Sequence, residues 1–261
     1  MLIIGEKLNS SIPKTLEALN QNDEAYIIEL IKRQADCGAD YLDVNTALTG
    51  ESEVEKMLWV IGLVLEHTSC GIMLDSPNPD VLAQCITKTG GRKVIVNSIT
   101  LEEKYDALIQ TIADHGAGVV CLPLMEKSIP ENAPDRLANA EAIIQKLTSA
   151  NIPHDRIYID VLAEAIATNE QAGVTALGTI RLLKQNFPAV NTICGLSNVS
   201  FGLPGRAVLN HIFLAMAMQN GLSSAIMDNT SLQIRQAIAA SNALLGNDEY
   251  CLDYISHYRE Q

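Results

Sequence analysis

The sequence predicts a (β/α)8 barrel, and three observations predict it. Eight short apolar runs rich in Ile, Val and Leu recur along the 261 residues, each ends in polar residues, and a longer amphipathic segment follows each one. No Pro-rich or Ser-rich linker breaks the alternation, so one domain over 1–261 is expected instead of a doubly wound sheet with a second domain. Near-continuous apolar strands alternating with helices specify a parallel sheet covered by helices.

The elements follow in order. "LIIGEKL" (2–8) is the first strand, and a helical pattern runs from Glu24 to Cys37, stopped by Gly38 in "DCGADYLDV". Glycine directly after a helix supplies the left-handed residue that ends it. "YLDVNT" (41–46) precedes a helix from Glu53 to His67, "GIMLDS" (71–76) one from Asp80 to Thr87, and "KVIVNSI" (93–99) one from Leu101 to His115, stopped by Gly116 in "DHGAGVVCL". "GVVCLPL" (118–124) pairs with Asp135 to Ala150, "RIYIDVL" (156–162) with Gln171 to Phe187, "NTICGLS" (191–197) with Arg206 to Asn220, and "SAIMDN" (224–229) with Ser231 to Leu245. The remaining "DEYCLDYISHYRE" predicts a short helix packed on the outside through Tyr250, Leu252, Ile255 and Tyr258.

Composition narrows the function. The chain is 48% hydrophobic and 19% charged, as in soluble α/β enzymes, and its net charge of -13 disfavours a nucleic-acid partner. The start, "MLIIGEKLNSSIP", lacks a basic region and a long apolar core, and no apolar run reaches membrane-spanning length, so a cytoplasmic protein with no membrane partner is expected. Six scattered cysteines, with no CxxC and no nearby histidine, predict reduced, buried thiols and no zinc site or disulfide framework.

In a barrel of this kind the active site lies at the C-terminal ends of the strands. There the sequence delivers Glu6, Lys7 and Asn9; Asp43 and Asn45; Asp75 and Ser76; Asn97 and Ser98; Pro123 and Met125; Asp160; Ser197 and Asn198; Asp228 and Asn229. All five histidines fall outside these tips, which argues against a histidine base or histidine-bound metal, and the carboxylates are dispersed where a hard metal wants them clustered. No metal site is expected. Dispersed Asp and Asn suit a flat, neutral, nitrogen-rich heterocycle such as a pterin, because carboxylates accept from ring N–H and NH₂ groups while carboxamides both donate and accept. Singly, Asp43, Asn45, Asp75 and Asp160 could each instead cap a loop through an Asx turn.

The motifs "LIIGEKLN", "LDVN", "MLDS", "VIVNS", "IYIDVL" and above all "GLSNVSFGLPGR" resemble the methyltetrahydrofolate:corrinoid-protein methyltransferases. These share a pterin-binding barrel with the folate domain of cobalamin-dependent methionine synthase. The resemblance covers essentially the whole chain. It implies that Asp75, Asn97 and Asp160 hold the pterin ring, that Asp43 and Asn45 touch it or orient the residues that do, and that Ser197 stands beside them. It also implies 5-methyltetrahydrofolate or tetrahydrofolate as substrate, no tightly bound cofactor, a cobalamin supplied by a separate corrinoid protein, and a homodimer. The apolar helix "HIFLAMAM" (211–218) is a candidate dimer face or core segment.

A methyl on tertiary N5 is a poor electrophile, because the departing nitrogen would leave as an anion. Asn198 can donate an amide hydrogen to N5 in the transition state without a pKa near neutrality, which accounts for a strand ending in amides and hydroxyls with no histidine. Arg206 is expected to hold the folate tail or its own loop. The same barrel serves dihydropteroate synthases, which look for a Ser-Arg-Lys run after the seventh strand and Arg with His at the eighth. Here those places read "GLSNVS" and "AIMDNT", so a diphosphate would meet Asp228 with no compensating cation. A folate-binding barrel without chemistry would keep Asp75, Asn97 and Asp160 but need not keep Asn198.

Overall fold

The computed structural model describes residues 1–124 and 128–259, so Met125 lies outside the described residues. Eight strands alternate with helices in the predicted order: β1 (Leu2–Asn9), β2 (Tyr41–Asn45), β3 (Gly71–Asp75), β4 (Val94–Ile99), β5 (Gly118–Cys121), β6 (Ile157–Asp160), β7 (Asn191–Ile193) and β8 (Ser224–Met227). The helices are α1 (Pro13–Gln21), α2 (Glu24–Asp36), α3 (Glu53–His67), α4 (Pro79–Ile86), α5 (Asp106–His115), α6 (Ala133–Ser149), α7 (Ala172–Asn186), α8 (Arg206–Gln219), α9 (Leu232–Leu244) and α10 (Leu252–Arg259).

The strands pair in parallel in the order β7-β6-β5-β4-β3-β2-β1-β8. The seam between β7 and β8 closes differently. The Ile226 N–H donates to Cys194 O at 2.9 Å, and hydroxyls do the rest: Ser223 Oγ accepts from Thr192 N at 2.8 Å, and Ser224 Oγ donates to Thr192 O at 2.7 Å. Buried backbone groups that no ladder reaches are thereby satisfied by side chains from the "LSSA" and "NTI" segments, and the sheet becomes a barrel.

Inside, Ile4, Met73, Ile95, Val120 and Ile193 pack with Leu2, Tyr41, Tyr158 and Ile226 into an apolar plug. Strand alternation puts residues two positions further along on the same face. Above Ile4, Tyr41, Met73, Ile95, Tyr158, Ile193 and Ile226 therefore stand Glu6, Asp43, Asp75, Asn97, Asp160, Gly195 and Asp228. One sequence period thus builds both the floor and the polar ring.

Caps match the sequence chemistry. Asp23, Asn78 and Asn132 accept N–H groups at the starts of α2, α4 and α6, and Pro occupies the first turn of the latter two. Gly38 and Gly116, at φ 81° and 65°, stop α2 and α5.

Several expectations need correction. The sequence pattern predicts no helix before Glu24, yet α1 forms there, with Pro13 in its first turn and Thr15, Ala18 and Leu19 buried. The terminal helix is present as α10, but its apolar stripe does not pack: Tyr250 is 84% exposed and Leu252 60%. Cys251 is exposed and Cys37 half-buried, whereas Cys70, Cys85, Cys121 and Cys194 are buried as expected. Among the described residues no helix is long and apolar enough to cross a membrane.

Candidate active site

Above the plug a cavity of about 840 Å³ opens at the C-terminal ends of the strands. Glu6, Lys7, Asn9, Asp43, Asp75, Asn97, Asp160, Ser197, Asn198 and Asp228 line it, so the ring predicted from the strand tips comes together. Asn45, Ser76 and Asn229 do not face it. Asn45 works from behind, donating from Nδ2 to Asp75 Oδ2 at 2.8 Å while its Oδ1 accepts from Ser10 Oγ at 2.8 Å and Ala47 N at 3.1 Å. Ser76 donates to Glu53 at 2.6 Å, and Asn229 is buried against the α2 carbonyls of Gln34 and Cys37. Pro123 is buried beneath the rim and holds Asn139 through its carbonyl.

Electrostatically the ring is tense. Burial first, and the Asp75 charge second, push Asp43 well above the ordinary carboxylate range, against the pull of the Asn9 amide. Asp43 Oδ1 is buried without a hydrogen-bond partner among the described residues. Burial raises Asp75 to about 6 despite its bond from Asn45, and raises Asp160 to about 6 despite Leu162 N donating to its Oδ1 at 2.7 Å. Buried acceptors with unused capacity are what ring N–H and exocyclic amino donors of a ligand would satisfy. Asp160 and Asn45 each cap their own loop with one oxygen, as the Asx-turn alternative allows, and Asn45 also donates to Asp75.

The Asp160 loop is held by a residue the sequence does not flag. Arg136 on α6 is fully buried; its Nη1 donates to Val161 O at 2.7 Å and Leu162 O at 2.8 Å, its Nε to Pro130 O at 2.9 Å, and its Nη2 to Glu164 Oε2 at 2.7 Å. These bonds fix the turn in which Leu162 takes a left-handed φ of 54° and turns its N–H onto Asp160.

Beside the Asp160 loop, residues Leu196–Ser200 form a 3₁₀ turn after β7, the neighbouring strand. Asn198 is exposed to the cavity, and among the described residues its side-chain amide has no hydrogen-bond partner. Its amide lies over Gly195, where any Cβ would meet Nδ2 at 3.0 Å. Arg206, first residue of α8, ties the turn down: its Nη2 donates to Ser197 O at 2.7 Å, its Nε to Ser200 Oγ at 3.1 Å, and its guanidinium lies 5.7 Å from the Phe201 ring centroid. Lys7 and Asp228 form an ion pair of 2.7 Å, so the cation at the first strand tip is already engaged. Burial alone would raise Asp228; the bonds from Lys7 and Thr230 outweigh it and hold the carboxyl low. Glu6 is raised, chiefly by burial, with Lys7 opposing.

Several wall residues escape a strand-tip argument. Asn210 and His211 enter from α8 and Ser231 from the start of α9. His211 lies outside the strand tips, as the sequence indicates, yet reaches the cavity from α8, and burial lowers its pKa. Asn210 Oδ1 is another buried acceptor without a partner among the described residues. The available signal was spacing, since Arg206 and Asn210, and Ala207 and His211, are i, i+4 pairs along α8.

A family model described as "Pterin binding enzyme" matches residues 5–228. The chain is 33% identical over 263 residues to the methylcorrinoid:tetrahydrofolate methyltransferase of Eubacterium limosum, covering 100% of this chain and 97% of that one. It is 34% identical over 241 residues to methionine synthase of Mycobacterium leprae, covering 87% of this chain but 20% of that one. Among solved structures, dihydropteroate synthases of Coxiella burnetii (TM-score 0.72, 18% identity, covering 95% and 94% of the two chains) and Xanthomonas albilineans (TM-score 0.72, 19% identity, 94% and 93%) share the fold.

Proposed function

The chain belongs to the pterin-binding enzyme family, and from that membership and its barrel mouth we propose that it moves a methyl group between N5 of 5-methyltetrahydrofolate and the cobalt of a corrinoid carried by a separate protein. The observation that carries this reading is the joint presence of a ring of buried acceptors and a free amide donor across one cavity. Asp75, Asn97 and Asp160 take the pteridine ring, with Asp43 offering its unpaired Oδ1 and Ser197 standing at the edge. Asn45 sets the Asp75 carboxylate.

In the forward direction the N5–CH₃ bond breaks, a carbon–cobalt bond forms on the Co(I) nucleophile of the partner, and the nitrogen keeps the electron pair and gains a proton. Asn198 lowers the barrier by directing its amide hydrogen to N5 as charge changes there, an interaction worth more in the transition state than in the ground state. Arg206 holds the turn that carries Asn198, since its guanidinium is already spent on Ser197 and Ser200. A diphosphate-displacing reaction fits less well, because Lys7 is paired with Asp228 and the other cation in the cavity wall, Arg206, is tied to its loop.

We further propose that the protein acts in the cytoplasm as one barrel domain without a tightly bound cofactor and works as a homodimer. Val208, Ile212 and Met216 leave an exposed apolar row on α8, while Phe213, Leu214, Ala217 and Met218 are core. The direct test is mixing with 5-methyltetrahydrofolate and free or protein-bound Co(I) corrinoid while following methylcobalt absorbance. Formation of the methylated corrinoid at an enzyme-dependent rate is expected; its absence with every corrinoid protein tried would refute the proposal.

A further inference from the structure

A second cavity, about 310 Å³, opens between α1, α2 and the loop after β8. It shares Lys7 and Ile12 with the main cavity, so the two are neighbours across one wall. Its floor is built tightly: Gln34, fully buried, accepts from Lys7 N at 2.9 Å, and Thr15 donates to Lys7 O at 3.1 Å. Tyr26, Leu30 and Arg33 line one face of α2 along it, and Lys14 faces them from α1 with its ammonium 4.6 Å from the Tyr26 ring centroid.

Two of its cations, Lys14 and Arg33, are exposed and without carboxylate partners at ion-pair distance among the described residues. The cations lining the main cavity are engaged: Lys7 with Asp228, and Arg206 with Ser197 and Ser200. A carboxylate leaving the main cavity past Ile12 therefore meets two unpaired cations, with Ile12, Tyr26 and Leu30 as apolar wall suited to methylenes.

We propose that this groove binds the carboxylate-bearing tail of the folate, taking the γ-linked glutamyl residues beyond the first. The proposal rests on the methyl-transfer reading above. It assigns Lys14 and Arg33 to chain length and leaves the pteridine to the strand-tip ring.

Calorimetry with tetrahydrofolate mono- and triglutamate, on the parent and on a Lys14→Ala/Arg33→Ala variant, tests it. The parent should bind the triglutamate about tenfold more tightly than the monoglutamate, the scale of one charge-assisted contact. The variant should lose that gain while keeping its monoglutamate affinity, and in the parent the gain should shrink as salt rises. A parent that binds both lengths equally, a variant that keeps the gain, or a loss shared equally by both lengths overturns the inference and leaves the methyl-transfer reading standing. A parent that binds neither ligand brings down both.

Discussion

The Asn198 amide rests over the α-carbon of Gly195, with Nδ2 3.0 Å from where a Cβ would stand. Gly195 has φ -73° and ψ 102°, a conformation open to any residue, so glycine is needed here for space and not for backbone freedom. Gly195→Ala should push the amide aside without straining the chain. Methyl transfer should fall about 10- to 100-fold, the scale of a misplacement near 1 Å, with tetrahydrofolate affinity nearly unchanged. Single-turnover kinetics beside calorimetry would check this, and parental kinetics would show that the amide does not need that place.

Asp75 and Asp160 should carry binding. Asp75→Ala and Asp160→Ala each leave ring donors without an acceptor and should weaken tetrahydrofolate binding by about 2 kcal/mol. The pH dependence runs in opposite senses for stability and affinity. A carboxyl raised from 3.8 to about 6 binds its proton more tightly in the folded state, so its favourable contribution is complete below 3.8 and is lost as pH rises to about 6. That amounts to about 3 kcal/mol for each group. The free protein should therefore lose thermal stability between pH 4 and 6.5, with a flatter profile in Asp75→Asn/Asp160→Asn, while folate affinity in the parent rises as the carboxylates ionise. Melting curves and calorimetry across that range would test both slopes.

Arg136 should matter to stability beyond its distance from the cavity. Arg136→Leu strands the Val161 and Leu162 carbonyls and leaves Glu164 without its ion pair. A loss of about 3 kcal/mol is expected, measurable by urea denaturation, together with weaker pterin binding as the Asp160 turn loosens.

The exposed row on α8 predicts self-association. Sedimentation at micromolar concentration should give a dimer, and Ile212→Asp/Met216→Asp should give a folded monomer. A parental monomer would reject the dimer.

Much of the barrel was legible because strands repeat every two residues. Ile95 and Asn97, or Tyr158 and Asp160, announce floor and rim in the same run, and Gly38 and Gly116 mark helix ends by the backbone they permit. Legibility fell where a residue's place depends on partners far along the chain. Asn45 sits at a strand tip but turns behind Asp75, and Arg136 acts on a loop 25 residues away. His211 and Asn210 reach the cavity from a helix, so strand-tip logic passes them by. α1 is short and carries few apolar residues, and its Pro13 was the main mark. In α10 the apolar spacing was plain, but spacing cannot say whether a neighbour covers it.

The measurement closest to the central claim is Asn198→Ala in single-turnover transfer between 5-methyltetrahydrofolate and a Co(I) corrinoid, with tetrahydrofolate affinity measured on the same preparation. A donor aimed at N5 in the transition state predicts a rate lower by about 10²-fold, the scale for losing one oriented donor, and an affinity within about twofold of the parent. Transfer at the parental rate would contradict the assignment and leave the turn after β7 a structural one.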